Sequence, residues 1–177
     1  MNAIHLQPVG EAIELEFLDQ VAAVLARVFR VSCRVRTRRL DVSETFDSSR
    51  GQYYSTAILR QLGEAAGGED ARVLGLTELD LFVPVLTFVF GEAQLDGRCA
   101  LVSLHRLREE YYGLPGNSVL LHERAVREAL HELGHTFGLR HCPEWRCVMA
   151  SSHAVERLDL KNAAYCPACA RRVFAGQ

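Results

Sequence analysis

His131-Glu132-Leu133-Gly134-His135-Thr136-Phe137-Gly138-Leu139-Arg140-His141 is the run of residues from which the rest of the chain is read. Residues four apart face the same way on a helix, so His131 and His135 can present two imidazoles to one metal ion. Glu132 lies beside them, within reach of a water that the metal would activate. Gly138 can take the left-handed conformation that ends a helix, and the turn would bring His141 round as a third ligand. Three neutral imidazoles leave a fourth position open to water, the arrangement of catalytic rather than structural zinc. The alternative is that ordinary histidines happen to recur on a helix, and chance places five such residues in register with odds on the order of one in ten thousand. His5, His105, His122 and His153 have no neighbours at ligand spacing and read as ordinary surface or satisfied core residues.

Downstream stand two thiol pairs. Cys142 and Cys147 have four residues between them, Cys166 and Cys169 have two, and eighteen residues separate the pairs. Two close pairs joined by a loop match a tetrahedral four-cysteine zinc site, closed to water and therefore structural. The other use of four cysteines, a pair of disulfides, requires an exported protein. The N-terminal MNAIHLQPVGEAIELEF has no basic stretch followed by an apolar core, so export is not expected and a cytoplasmic location is. Cys33 and Cys99 fall in predicted strands and read as buried free thiols. On spacing alone Met149 is core filler.

Working back from the zinc run, Ser118 onward reads as one long helix whose Val126, Leu130, Leu133 and Phe137 form a buried stripe, preceded by a breaker-rich linker over Gly113 to Asn117. Farther upstream, Ala3 to Val9 is a predicted strand and Glu11 to Phe29 a predicted helix with apolar residues at helical spacing. Ser32 to Arg39 alternates, with Cys33, Val35 and Thr37 on one face and three arginines on the other, as a strand does. Asp41 to Gly51 is polar and read as loop. Tyr53 to Ala66 is a second predicted helix, stopped by Gly67 and Gly68. Arg72 to Leu76, Leu86 to Ala93 and Arg98 to Leu104 are predicted strands, with a hairpin turn at Leu95-Asp96-Gly97. The expected fold is α/β, a mixed and mainly parallel twisted sheet packed with helices, with an antiparallel strand near one edge. Everything after Gly138 looks irregular and cysteine-rich.

The 177 residues, 49% of them hydrophobic, suffice for one core, so a single domain is expected, with residues 1–138 as its α/β part and 139–177 as a small zinc-holding part. A formal net charge of -2 with 24% charged residues lacks the basic excess of a nucleic-acid binder, and no stretch approaches the length of a membrane span. Neither nucleic acid nor membrane is expected as a partner; oligomeric state is not readable.

HELGHTFGLRHC, PEWRCVM and CPAC, taken together from His131 to Cys169, resemble the archaemetzincins, a metzincin-like family of zinc peptidases. LTELDLFVPVLTFVFGEAQ and LVSLHRL upstream are also similar to that family, though less specifically. The spacer of sixteen residues between Met149 and Cys166 differs by one from the family pattern, a change that a loop tolerates. The resemblance implies two zinc ions per chain: a catalytic one on His131, His135 and His141, and a structural one on Cys142, Cys147, Cys166 and Cys169. It implies Glu132 as general base and Met149 as the Met-turn, an apolar floor under the site. Some metzincins carry a tyrosine two residues after that methionine; here the position is Ser151. The implied activity is hydrolysis of peptide or protein substrates, an extended peptide pairing with an edge strand around Phe88 to Gln94. Two alternatives stand beside it. One is a zinc-stabilised binding module without turnover, which has no need of Glu132. The other is a zinc-ribbon nucleic-acid binder, which lacks the charge.

Overall fold

β1 (Ala3–Val9) and β5 (Ala71–Thr77) lie side by side at the centre of a five-stranded sheet in the computed structural model, which describes residues 3–10, 12–66 and 71–175. β2 (Ser32–Val35) flanks β1, and β8 (Cys99–Ser103) flanks β5, all four parallel. β7 (Gly91–Ala93) pairs antiparallel with β8 and closes the order β2-β1-β5-β8-β7. The expected antiparallel strand is thus present, and at the edge. A smaller sheet is built from β3 (Phe46–Asp47), β4 (Gln52–Tyr54) and β6 (Leu81–Phe82).

The period-two alternation of strands sorts the core into two layers. Ile4, Leu6, Leu74, Leu76, Ala100 and Val102 face α1 (Leu15–Phe29) and α3 (Ser118–Thr136). Val9, Val73, Cys99 and Leu101 face α2 (Ser55–Ala66), against Ile58, Leu59 and Leu62. All five residues of β8 are buried, as a strand covered on both faces requires. Asn117 caps α3 by accepting from the Leu120 amide at 3.0 Å, so the predicted linker ends where the helix starts. Val126, Leu130 and Leu133 of the predicted stripe are buried, and Phe137 partly so. No described helix is long and apolar enough to cross a membrane.

Several predicted boundaries shift for identifiable reasons. α1 begins at Leu15, with Glu14 in extended conformation ahead of it; Glu11, the predicted start, lies outside the described residues, as do Gly67 and Gly68. The strand predicted over Ser32 to Arg39 stops at Val35, after which the chain touches β1 only at single bonds such as Leu40 N to Pro8 O. Tyr53 and Tyr54 belong to a strand rather than to α2, and the polar loop before them contains a 3-10 turn and the β3–β4 hairpin. The strand predicted over Leu86 to Ala93 shrinks to β7. The side chains of Arg50 and Gln52 take the carbonyls of Leu86 and Thr87, so those groups are not free for a ladder. The region after Gly138 is more regular than expected, with α4 (Val155–Asp159) and α5 (Pro167–Val173).

Candidate active site

α3 carries His131 and His135 on one face, with ring centroids 4.7 Å apart. Gly138 at φ +75° ends the helix, with its amide bonded to the His135 carbonyl at 2.9 Å, and the turn returns His141 to within 5.3 Å of the His131 ring and 5.2 Å of the His135 ring. Ligand atoms of the three lie within 4.8 Å of one another.

The backbone sets the tautomers. His131 Nδ1 meets the Val148 carbonyl at 2.8 Å and His135 Nδ1 meets the Leu139 carbonyl at 2.7 Å. A carbonyl only accepts, so each Nδ1 carries its proton and each Nε2 is left with a bare lone pair. Those two Nε2 atoms are 3.1 Å apart. Two lone pairs at that distance repel unless a cation lies between them, and two ligands of a tetrahedral zinc are separated by about 3.3 Å. Burial holds all three imidazoles below the usual histidine range, strongly so for His131, keeping them in the neutral form a metal needs. The donor set fits zinc.

Glu132 is buried beside them. A Cβ built on Gly91 of β7 would lie 2.6 Å from Glu132 Cγ and 2.7 Å from the Leu101 carbonyl, so only glycine admits the carboxylate there. One helical turn back, Glu128 is also buried and lines the same cavity, so two carboxyls lie close together with little solvent. Burial and the Glu128 charge push Glu132 well above the usual carboxylate range; burial raises Glu128 too, with the Lys161 ammonium opposing it. Lys161 is 3% exposed and donates to the Val148 carbonyl at 3.2 Å, while its own carbonyl accepts from Arg127 Nε. These groups line a cavity of about 260 Å³ whose far wall is Leu86 to Gly91 and whose near rim includes Ser151 and His153.

Glu128, Lys161 and His153 were not among the predicted site residues. Glu128 had a signal, its spacing of four from Glu132 on a predicted helix. Lys161 and His153 had none, and His153, read from sequence as ordinary, stands on the cavity wall.

Met149 is fully buried, and its sulfur fills the space where a Cβ on Gly134 of α3 would be. Ser151 occupies the position where a tyrosine would stand and lines the cavity.

Cys142, Cys147, Cys166 and Cys169 bring their sulfurs within 4.8 Å of one another. Cys142 Sγ and Cys166 Sγ are 3.8 Å apart, and two thiolates on a tetrahedral zinc are separated by about 3.8 Å. The amide of Cys166 donates to Cys147 Sγ at 3.3 Å, and a backbone hydrogen bond at Cys169 draws the Cys166 thiol down to about 7, while burial pushes Cys169 up. All six cysteines are free, so no disulfide competes for these sulfurs. Cys99 is buried as expected, but Cys33 is only half-buried, because β2 is the edge strand on its side of the sheet.

Residues 14–174 match Peptidase family M54. The archaemetzincin of Methanocaldococcus jannaschii is 43% identical over 171 residues, covering 96% of this chain and 92% of that protein. The crystal structure of an archaemetzincin from Archaeoglobus fulgidus, complexed with malonate, superposes with a TM-score of 0.83 at 36% identity over 96% of this chain and 99% of that one. A zinc-dependent peptidase from Methanocorpusculum labreanum gives a TM-score of 0.87 at 28% identity, over 96% and 99% of the two chains.

Proposed function

This chain belongs to peptidase family M54, the archaemetzincins, and from that premise we propose that Glu132 is the general base of a zinc peptidase whose catalytic ligands are His131, His135 and His141. It is a zinc metallopeptidase acting on peptide or protein substrates, with two groups of residues that can each hold a zinc ion. The observation that carries the assignment is the 3.1 Å apposition of two Nε2 lone pairs whose tautomers the backbone has already fixed.

Zinc, when bound, polarises a peptide carbonyl and acidifies a water molecule. The rest is done by the chain. Val148 and Leu139 hold the imidazoles in place through their Nδ1 protons, so the ligand geometry is set before substrate arrives. Glu132 acts from its ionised form, which the cationic charge of a loaded site favours over the protonated form that burial alone would give. It takes a proton from the attacking water and returns it to the leaving amine. Gly91 keeps the space that lets it stand there.

Cys142, Cys147, Cys166 and Cys169 are assigned a structural zinc. Cys142 follows His141 directly and its amide donates to the Met149 carbonyl at 2.9 Å, so that site would tether both the third catalytic ligand and the turn beneath the metal. Met149 forms the apolar floor. The substrate is assigned an extended conformation along the edge at Phe88 to Gln94, where β7 leaves one side of the sheet without a neighbouring strand.

Counting zinc per chain in the wild type and in Glu132→Ala, together with mass-spectrometric cleavage of a diverse peptide library, tests the proposal. Two zincs in both, with cleavage lost only in the variant, is the expected result. Cleavage surviving in Glu132→Ala would refute the base, and two zincs with cleavage by neither would favour a binding module.

A further inference from the structure

The cavity lined by His131 and His141 has a neighbour beyond its near rim. Ser151, His153 and Lys161 also line a second cavity of about 250 Å³, completed by Trp145, Arg157 and Leu160. The two therefore adjoin along Ser151, His153 and Lys161. The end away from the histidines is built from both sides of the C-terminal part: Trp145 from the loop between the first two cysteines, Arg157 from α4, and Leu160 from just after it.

Two features of that end are unlike ordinary surface. Trp145 and Leu160 are 53% and 57% exposed, and single exposed apolar residues are common, but these two face the same cavity. The charged groups lining it, Arg157 and Lys161, are cationic, His153 stands between them, and no acidic side chain lines it among the described residues. An indole and an isobutyl group beside cations suit an apolar side chain with a carboxylate next to it.

We propose that this second cavity is a specificity subsite for the peptide substrate, taking an aromatic or aliphatic side chain against Trp145 and Leu160 and pairing the adjacent carboxylate with Arg157. The carboxylate comes from an acidic side chain or from the end of the peptide. Adjacency to the zinc site is what makes the occupant the substrate rather than another protein: a chain lying across the histidines and leaving past Ser151 and His153 meets Trp145 next. The proposal rests on the peptidase reading for the identity of the occupant, but its test does not need turnover.

Trp145 is the chain's single tryptophan; it also borders a cavity beside Cys147 and Cys166, so its emission is read together with the Leu160 and Arg157 variants, at positions that line only the proposed subsite. The probes are acetylated heptapeptide amides of alanine in which a Phe–Glu pair is walked through the positions, plus one with C-terminal phenylalanine as the free acid. They are titrated into the zinc-loaded Glu132→Ala protein. The expected result is a saturable blue shift confined to one or two placements, weakened roughly tenfold by Leu160→Ser and by Arg157→Glu. Whether the amides or the free acid bind best tells which carboxylate is read. Emission unmoved by every peptide, or moved equally by all placements, overturns the subsite even if the wild type cleaves them. A placement-dependent shift without wild-type cleavage upholds the subsite while the peptidase reading fails.

Discussion

His131 and Lys161 are joined through one acceptor: the imidazole Nδ1 and the ammonium Nζ both donate to the carbonyl oxygen of Val148, at 2.8 and 3.2 Å. Lys161 also stands among Glu128 and Glu132, in a place with almost no solvent. Lys161→Met therefore removes a neighbour of the His131 imidazole and the cation beside two buried carboxyls. Its expected effects are a loss of about 3 kcal/mol of stability and a tenfold or greater weakening of zinc at the histidines, with zinc at the cysteines unchanged. Thermal melts and zinc counting against a competing chelator measure both.

Glu132→Ala removes the proposed base without touching a ligand. Both zincs should remain, and kcat on any peptide that the wild type cleaves should fall by at least about a hundredfold. A full-strength kcat in the variant would assign the proton transfer to another group.

Gly91→Ala places a methyl group against both the Glu132 side chain and the Leu101 backbone. The backbone cannot yield, so the carboxylate must. The expected outcome is a destabilisation of about 1–3 kcal/mol and a fall in kcat with both zincs retained. Unchanged kinetics in a variant of unchanged zinc content would show that Glu132 tolerates displacement.

Cys166→Ser opens the four-cysteine group, which is tied to the three-histidine group through the His141–Cys142 bond and the Cys142 amide to Met149 carbonyl bond. Loss of zinc from the cysteines should be accompanied by weaker zinc at the histidines. Retention of the histidine zinc at wild-type affinity would show that the two sites are independent.

Chelation should free four thiols that are silent in the zinc-loaded protein. Cys33 and Cys99 lie elsewhere in the fold, and burial raises both, Cys33 to about 11. A raised thiol pKa keeps the unreactive protonated form at pH 8, so labelling of Cys33 should be slow there and accelerate as pH climbs toward 11. Thiol counts with and without chelator, and the pH profile of labelling in the loaded protein, give the two readings; a fast-reacting Cys33 at pH 8 would contradict the burial.

The legible part of this protein is its local part. His131 and His135 share a face because a helix repeats every 3.6 residues, Gly138 turns the chain because it alone among common residues accepts positive φ at no cost, and the cysteine pairs are close in space because they are close in sequence. β1, β5 and β8 are likewise legible as short apolar runs between breakers, which mark strands without saying what covers them. Boundaries failed where side chains from elsewhere took over backbone groups, as Arg50 and Gln52 do at Leu86 and Thr87.

What only the tertiary structure decided is every relationship between residues on different elements. Strand order, the fit of Gly91 against Glu132, the placement of Lys161 beside Glu128, and the meeting of Trp145, Arg157 and Leu160 around one cavity have no periodic signature. The reason is physical: hydrophobic burial, which brings these segments together, is non-directional and leaves no spacing rule in the chain, whereas helix geometry and metal coordination are directional and do.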